Sequence, residues 1–255
     1  MTTLHIPVGG IGLRAPGIIN VHALLQSSDE PREEGHFETP KGQGLCLPAT
    51  ERRRATPVTR LALDAAMEAT SGVSDPSLLT TLFASSGGEV TVIHQIFDML
   101  AQGDTALSPT AFHNSVHNAA AGYWSIASGS QYPADSICAY DDSFGAGLAD
   151  AALRYLQGER NILLIAYDLP PPYPISEKRH IRDAIAAALL LGYEGASPIA
   201  TLSVNYDPKR NEKPLPLSHP SAPLVAIIRA IAKKAPHSQV LSAGFGGTLT
   251  VEVRP

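Results

Sequence analysis

The sequence predicts an α/β fold, in which helices pack on a largely buried β-sheet, and two observations predict it. Residues 78–85 are typical of a buried strand, and a Ser/Gly turn and a helix over about residues 90–102 follow them. A second helix, over residues 145–157, leads into the almost wholly apolar run 161–167, which is typical of a strand covered on both faces. Helices that alternate with buried strands are the pattern of α/β proteins.

The composition is that of a folded, mildly acidic protein. Hydrophobic residues make up 44% of the 255 residues and charged residues 17%, which excludes a disordered chain. The formal net charge is -5, so the chain lacks the excess of positive charge that is typical of proteins that bind nucleic acid. The N-terminus lacks the pattern of a signal peptide, and no segment reaches the length of a membrane span, so we expect a cytoplasmic protein without a membrane span.

The remaining elements are predicted from local patterns. Residues 4–12 predict a short strand that runs into a glycine turn formed by Gly9, Gly10 and Gly12. A helix is predicted over residues 51–69, with apolar positions Val58, Leu61, Ala62, Ala65 and Met67 at mostly helical spacing.

Further along the chain, an alternating strand is predicted at 198–206, an amphipathic helix at 223–234, and a glycine turn with a final strand over 242–253. Periodicity does not decide whether 183–191 is a helix or a strand. Polar Pro-rich or Pro/Gly-rich segments, residues 27–50 and 207–222, are predicted to be a loop and a linker.

The densest set of chemically active residues lies in residues 108–148. It holds His113 and His117 four residues apart, a run of very small residues at 118–122 that opens a helix over 118–126, and the adjacent carboxylates Asp141 and Asp142. The small side chains favour close packing of this helix against a neighbour. We therefore expect the functional site here.

Histidines four apart share one face of a helix, so His113 and His117 are expected to lie together. They can serve a structural or interface role, or polarise a thioester carbonyl with Asp141 or Asp142 orienting one of them. No glutamate follows His113 as in HExxH, and no third ligand is evident, so no metal is expected. Alternatively, one of the two aspartates caps the helix that begins near Ser143.

Three motifs then resemble the β-ketoacyl synthases of fatty acid and polyketide synthesis, which have the thiolase fold. They are FASSGG at 83–88, SP followed by NAAAGYWSI over 108–126, and GFGGT at 244–248. The segment SPTAFHNSVHNAAAGYWS, residues 108–125, is similar to the corresponding segment in a short subgroup of this family, the chain length factors of aryl polyene type pigment clusters. The resemblance implies a shortened thiolase-like, ketosynthase-like layered sandwich that forms a single domain over residues 1–255.

In that comparison, residues 1–206 resemble the N-terminal half of a ketosynthase, and residues 223–255 resemble its C-terminal helix and GFGG strand. Most of the second catalytic half is missing between Tyr206 and Ser242. Aligned with the family motif, Asp141 stands where the nucleophilic cysteine would be, and Cys138 falls three residues earlier. A slip of one residue would place Tyr140 or Asp142 there, and neither supplies a thiol.

A thiolate carries the acyl chain in condensation, so the resemblance implies a protein that does not condense on its own. We expect a partner of a full-length ketosynthase in a heterodimer, or of itself in a homodimer, that shapes the acyl cavity and works with acyl carrier protein. The three arginines 52–54 are either a solvated face or contacts for the acidic carrier. No cofactor is expected.

Two other hypotheses stay open. The chain could be an independent acyl-thioester enzyme, such as a malonyl-thioester decarboxylase, an acyltransferase or a thioesterase, or it could be a homodimeric structural protein. Cys138 has acidic neighbours in sequence, and the interpretation we favour for it is a small buried hydrophobe. The candidate catalytic residues are His113, His117 and Asp141. The candidate substrate-binding or interface residues are Ser86, Asn118, Cys138, Asp142, Ser143 and Phe245.

Overall fold

A computed structural model describes residues 3–27, 38–209, 219–244 and 246–255, and in these residues one β-sheet is covered by helices on both faces. The strands are β1 (Leu4–Arg14), β2 (Thr80–Ala84), β3 (Ala134–Ile137), β4 (Ile162–Asp168), β5 (Ile185–Leu191), β6 (Ala200–Asp207), β7 (His237–Ser242) and β8 (Thr248–Arg254). The helices are α1 (Val21–Gln26), α2 (Ala49–Arg54), α3 (Pro57–Ala69), α4 (Val90–Ala101), α5 (Pro109–Asn114), α6 (Ala119–Ser128), α7 (Ser143–Leu156) and α8 (Ala222–Ala232). Among the described helices, none is both long and apolar enough to cross a bilayer.

The strand order in the sheet is β3-β2-β4-β5-β1-β6-β8-β7. Strands β3, β2 and β4 run parallel to one another, and every other described pair of neighbours is antiparallel. The carboxyl ends of the three parallel strands therefore meet at one edge of the sheet. In open α/β sheets this is the edge at which ligands bind.

Alternate residues of β4 enter two separate hydrophobic clusters, which lie on opposite faces of the sheet. Leu164 belongs to the cluster that contains Phe144 of α7 and Leu224 of α8, whereas Ile165 belongs to the cluster that contains Leu61 of α3 and Trp124 of α6. Strands β4 and β5 are completely buried. The predicted α/β layered sandwich is therefore confirmed, with the sheet between two layers of helices.

The sheet curls so that its far edge approaches α7. A Cβ atom on Gly145 would overlap the carbonyl oxygen of Ser242 at the end of β7. This close approach brings the turn between β7 and β8 to the first residues of α7. The turn has three glycines with positive φ, Gly244, Gly246 and Gly247, as the glycine pattern predicts.

The predicted helix over 51–69 is wrong, because the structure divides it into α2 and α3. Pro57 has no N–H with which to continue a helix, and Thr56 caps the new one by accepting a hydrogen bond from the Thr59 amide at 3.2 Å. Met67, which the periodicity placed on the apolar face, is 39% exposed, while Leu63 is fully buried. The other four predicted apolar positions, Val58, Leu61, Ala62 and Ala65, are buried as expected.

The predicted glycine turn at residues 9–12 is also wrong, since these glycines lie within the 11-residue strand β1. Their small size serves packing instead. A Cβ on Gly10 would overlap the carbonyl oxygen of Ala69, and one on Gly12 would overlap that of Ala65. Strand β1 and α3 therefore pack backbone against backbone. The segment that periodicity left undecided, 183–191, contains strand β5.

Candidate functional site

The turn that follows β2 is held by a carboxylate at the end of β4. Asp168 Oδ1 accepts hydrogen bonds from the Ser85 hydroxyl (3.0 Å), the Ser86 amide (2.9 Å) and hydroxyl (2.7 Å), and the Gly87 amide (3.1 Å). The Gly88 amide donates to Ser85 Oγ at 2.8 Å. Asp168 is only 3% exposed, and burial raises its pKa although these hydrogen bonds oppose the change. The FASSGG turn is thus a rigid element of the sheet edge.

His117 and Cys138 are both tied to this turn. The Nε2–H group of His117 donates to the carbonyl oxygen of Ser85 at 2.9 Å, and its ring lies against Gly88, whose φ is +50°. The Cys138 thiol, directly after β3, donates to the carbonyl oxygen of Ser86 at 3.5 Å. The ends of β2, β3 and β4 therefore form one polar cluster, as the parallel topology predicts.

Between β3 and α7 the chain makes a sharp turn at residues 139–143, which we call the elbow. Tyr140 has a positive φ of 55°, which is unusual for a bulky residue. Ser143 secures the elbow, because its Oγ accepts from the Ala139 amide at 3.0 Å and donates to the Tyr140 carbonyl oxygen at 2.7 Å. A strained turn from strand to helix is the geometry that presents a nucleophile in α/β-hydrolases.

Arg179 covers the elbow from the loop after β4. Its guanidinium lies 3.9 Å above the centre of the Tyr140 ring, and it forms an ion pair with Asp141. Asp142 instead accepts a hydrogen bond from the Ser242 hydroxyl at 2.7 Å, which ties the elbow to the end of β7. The Arg179 guanidinium therefore holds Tyr140 and Asp141, and the Ser242 hydroxyl holds Asp142.

The predicted pairing of the histidines on one helix face is wrong. Helix α5 ends at Asn114, so His117 lies beyond it and turns toward the Ser85–Gly88 turn. His113 is exposed and packs edge-on against the Tyr123 ring, with ring centres 5.8 Å apart. The two side chains therefore have different surroundings.

The predictions for the aspartates and Cys138 also need correction. Neither aspartate orients a histidine in the structure, because Asp141 pairs with Arg179 and Asp142 with Ser242. Asp142 stands at the N-cap position of α7 but makes no side-chain capping bond. Cys138 is exposed, so it is not a buried hydrophobe.

A second feature lies next to this cluster, on helices α4, α5 and α6. Large apolar side chains there are exposed, with Phe97 and Phe112 at 60% and 66%. A groove with a volume of about 420 Å³ runs between α5 and α6. Its lining includes two of the predicted site residues, His113 and Asn118, together with Phe112, Val116, Gly122 and Ile126. We call this surface the apolar face.

The structure thus divides the candidate residues into two groups. Ser86, His117, Cys138, Asp141, Asp142 and Ser143 lie at the edge formed by the turn and the elbow, whereas His113 and Asn118 lie on the apolar face. Phe245 lies outside the described residues. Asp168 and Arg179 belong to none of the motifs in the sequence, and neither was predicted as a site residue. The one available signal for Asp168 was a carboxylate at the end of an apolar strand.

The comparisons with known proteins agree with this architecture. The family model for the β-ketoacyl synthase N-terminal domain matches residues 26–240. This match spans most of the chain, and the chain therefore belongs to the β-ketoacyl synthase N-terminal domain family. The search of curated proteins gave no significant match.

Solved structures show the same fold. The structure of the ketosynthase ApeO in complex with its chain length factor ApeC, from Xenorhabdus doucetiae, contains a chain that matches with a TM-score of 0.72 and 22% identity, over 99% of this chain and 100% of that one. The ishigamide ketosynthase/chain length factor gives 0.71 and 12%, over 98% and 99%. A β-ketoacyl synthase from Burkholderia phymatum gives 0.57 and 16%, over 82% of this chain and 66% of that one. The predicted ketosynthase-like, thiolase-like fold is confirmed.

Proposed function

We propose that this protein is a chain-length-factor-type subunit, which pairs with an active ketosynthase and shapes the acyl cavity in aryl polyene, polyketide or fatty acid synthesis. The observation that carries the proposal is the elbow. Its exposed position holds Tyr140 and its flanking side chains are the carboxylates of Asp141 and Asp142. The guanidinium of Arg179 lies over it.

Condensation by this fold class needs an activated nucleophile that holds the acyl chain as a thioester. None of the elbow side chains Tyr140, Asp141 and Asp142 is a thiol, and the two carboxylates make poor acyl carriers and repel the carboxylate of a malonyl group. The exposed thiol of Cys138 lies on the strand side of the elbow and donates to Ser86 rather than to a histidine. The elbow therefore favours a subunit that leaves condensation to its partner.

The apolar face supports a protein partner. Four large side chains on α4, α5 and α6, and Val116 in the turn between α5 and α6, are between 47% and 66% exposed. The four are Phe97, Leu100, Phe112 and Ile126. Helices α4 and α5 are in contact, and exposed apolar side chains grouped on neighbouring elements mark interaction sites in proteins of known structure. Strand β3, at the edge of the sheet among the described strands, lies beside α6 and offers unpaired backbone groups. A full-length ketosynthase is the partner we propose, with a second copy of this chain as the other outcome of the test.

Acyl carrier protein is the second proposed partner. Arg53 and Arg54, at the end of α2, are exposed, and the Asn114 side chain of α5 donates to the Arg54 carbonyl oxygen at 2.8 Å. The cationic end of α2 therefore lies beside the apolar face. An acidic carrier docked there would sit next to the proposed subunit interface.

The proposal includes the assignment of the chain to parts of a ketosynthase. Residues 1–206 would correspond to its N-terminal half, and residues 223–255 to its C-terminal helix and GFGG strand. The antiparallel pairing of β6 with β8, which adds the C-terminal strands to the same sheet, supports a single domain. The alternative of an independent enzyme that uses His113, His117 and Asp141 together has less support, because these three side chains have separate partners.

The proposal is tested by co-expressing the chain with the full-length ketosynthase encoded nearest to its gene and measuring the mass of the complex by native mass spectrometry. We expect a one-to-one heterodimer. Phe112→Glu, which places a charge on the apolar face, should abolish it, because burying an unpaired carboxylate in an interface is strongly unfavourable. Leu153→Glu, an equally exposed apolar position on α7, is the matched control and should leave the complex intact. A stable homodimer that ignores the ketosynthase would contradict the proposal.

A further inference from the structure

A cavity with a volume of about 440 Å³ lies on the side of α3 that carries Asp64, Met67 and Glu68. Its other walls are the end of β1 at Arg14, the residue Ile19 between β1 and α1, and residues 40–46, which precede α2. The described lining shares no residue with the groove of the apolar face, with the elbow or with the Ser85–Gly88 turn. We call this cavity the α3 pocket.

We propose that the α3 pocket binds a small organic anion, in which one negatively charged group is joined to a compact apolar body such as an aromatic ring. The volume lies within the range of small-molecule sites in proteins, roughly 300–1,000 Å³. The chemistry of this site does not depend on the proposed pairing with a ketosynthase.

The wall formed by residues 40–46 is fixed to α3 before any ligand binds. The Gln43 amide donates to Asp64 Oδ2 at 2.6 Å, and the Gly44 amide donates to Asp64 Oδ1 at 2.8 Å. A Cβ on Gly42 would overlap the amide nitrogen of Leu61, so the backbone of this wall lies directly on the helix. Sites for small molecules are usually preformed in this way, because a ligand then does not have to order the chain.

The charged groups of the lining leave one cation available to a ligand. The Glu68 carboxylate forms an ion pair with Arg14 and also accepts hydrogen bonds from two backbone amides, at 3.0 and 2.7 Å. Both oxygens of Asp64 accept from backbone amides. Lys41 is exposed, and within the part of the chain that the structure describes it has neither an ion-pair partner nor a hydrogen-bond partner. Its ammonium group can therefore pair with a ligand anion without breaking another contact.

The rest of the pocket favours an apolar body beside that anion. Ile19, Leu45 and Met67 are exposed on three different walls. The Cys46 thiol also lines the pocket, and burial, with a smaller effect of the Asp64 carboxylate, raises its pKa to about 11, so the thiol stays uncharged at neutral pH. A ligand that covers these side chains gains from burial, and the thioether of Met67 makes favourable contacts with aromatic rings.

The apolar part of the α3 pocket is too small for a protein partner. Three exposed large apolar side chains line it, namely Ile19, Leu45 and Met67. A stable protein interface buries about 800 Å² on each partner and involves roughly 20 or more residues a side. A small molecule is the occupant that this pocket fits.

The test uses the isolated full chain and 2-naphthoate, a flat aromatic carboxylate, with the uncharged 2-naphthamide as its matched control. The rate at which N-ethylmaleimide alkylates Cys46 reports occupancy of the pocket, and Cys138, which lies outside the pocket, is the internal reference. We expect 2-naphthoate to slow the alkylation of Cys46 saturably, with a dissociation constant of about 1 mM or lower, and to leave Cys138 unaffected. The amide should bind about fivefold more weakly, because it lacks the charge that pairs with Lys41.

Variants test the two halves of the site separately. Lys41→Met removes the charge but keeps the length of the side chain, and it should weaken 2-naphthoate about fivefold and make the acid and the amide bind alike. Met67→Glu should weaken both compounds, because it replaces an apolar contact by a carboxylate. Lys178→Met, at an exposed lysine outside the pocket, is the matched control and should bind as the wild type does. All three positions are exposed, so the variants should fold, and thermal unfolding checks this.

Ligand-observed NMR gives the affinities independently and covers the case in which Cys46 reacts too slowly to follow. Competition by 2-naphthyl phosphate shows whether the pocket prefers a phosphate to a carboxylate. The proposal is overturned by no saturable binding of 2-naphthoate below about 10 mM, by equal affinities for the acid and the amide in the wild type, or by protection of Cys138 instead of Cys46. Unchanged affinity in folded Lys41→Met and Met67→Glu would overturn it as well.

Discussion

At the scale of single residues, Asp168 joins two strands at the edge where the candidate site lies. Its carboxylate accepts from two hydroxyls and two amides of residues 85–87, and all four donors lie 81 to 83 residues earlier in the chain. The carbonyl oxygens of Ser85 and Ser86, which hold His117 and Cys138, belong to the same turn. Asp168 therefore positions two candidate residues that it does not touch.

Asp168→Ala should destabilise the protein by about 2–4 kcal/mol, because it leaves several donors of the turn without a buried acceptor. Asp168→Asn keeps one acceptor oxygen and should restore part of the loss. The control is Asp135→Ala, an exposed carboxylate paired with Arg154, for which we expect a change below about 1 kcal/mol. Urea unfolding measures all three, and equal losses in Asp168→Ala and Asp135→Ala would contradict the role of Asp168.

Glu89 is a buried carboxyl group between α3 and α4. Its Oε1 accepts from the Thr56 hydroxyl at 2.7 Å and from the Thr59 hydroxyl at 2.6 Å, and the side chain is almost fully buried. Burial raises the pKa of Glu89, and the two hydroxyl bonds oppose this only in part. The folded state therefore holds the Glu89 proton more tightly than the unfolded state does.

This raised pKa predicts how stability depends on pH. The contribution of Glu89 is fully present below the ordinary pKa of 4.5 and is lost as the pH rises through the raised, folded value. Glu89→Gln keeps an acceptor for the threonines and cannot ionise, so its stability relative to the wild type should increase as the pH rises from 4.5. Unfolding by urea at a series of pH values measures the difference, with the exposed Glu194→Gln as control. If the difference in unfolding free energy between Glu89→Gln and the wild type stays constant with pH, the pKa of Glu89 is not raised in the folded state.

At the scale of elements, the contact between β1 and α3 depends on glycine. Ala65 and Ala69 of α3 place their carbonyl oxygens where side chains on Gly12 and Gly10 would be. Helix α3 also supplies Glu68, whose carboxylate pairs with Arg14 at the end of β1 at 2.5 Å and accepts from the Leu13 amide at 3.0 Å. These contacts join residues 10–14 of β1 to residues 65–69 of α3.

Gly12→Ala should therefore destabilise the protein by about 1–3 kcal/mol, because α3 must move away from the sheet to admit one methyl group. Gly72→Ala adds a methyl group at a position with no heavy atom within 4 Å and should be close to neutral. Chemical denaturation of both variants provides the comparison. A neutral Gly12→Ala would mean that the strand and the helix are not in such close contact.

The elements that could be predicted from the sequence are those with a strong pattern. Strand β4 is almost wholly apolar, strand β2 lies in a run rich in Leu, Thr and Phe, and both strands are completely buried and were predicted. Strand β3 reads ADSI and lies half exposed at the sheet edge, and β7 reads HSQVLS with polar residues on its exposed side, so neither has the pattern of a buried strand. The break before α3 required giving Pro57 more weight than the apolar periodicity.

The candidate site could be predicted only in part, for a related reason. The Ser/Gly turn after β2 was predicted, because it is a continuous stretch of sequence that follows a buried strand. The partners of the site residues could not be found in this way. Asp141 pairs with Arg179, which is 38 residues away, and Asp142 bonds Ser242, which is 100 residues away. Contacts between residues so far apart in the chain depend on how the sheet curls, and the curl cannot be predicted from a local sequence pattern.

At the scale of the whole molecule, the polar edge lies beside the apolar face on α4, α5 and α6, because His117 of the edge is flanked by Val116 and Asn118 of the groove. The elbow belongs to this edge, with Arg179 over Tyr140. In the proposed function, the ketosynthase covers the apolar face, and the chain supplies shape rather than a nucleophile.

The measurement that tests this account most directly is mass spectrometry of carrier-bound products after incubation of malonyl-loaded acyl carrier protein with this chain, with its ketosynthase, or with both. We predict no loss of carbon dioxide with the chain alone, and products of a defined length only when both proteins are present, with Phe112→Glu in this chain removing that effect. Decarboxylation by the chain alone, abolished by His113→Ala or His117→Ala, would contradict the account and identify the chain as an enzyme in its own right.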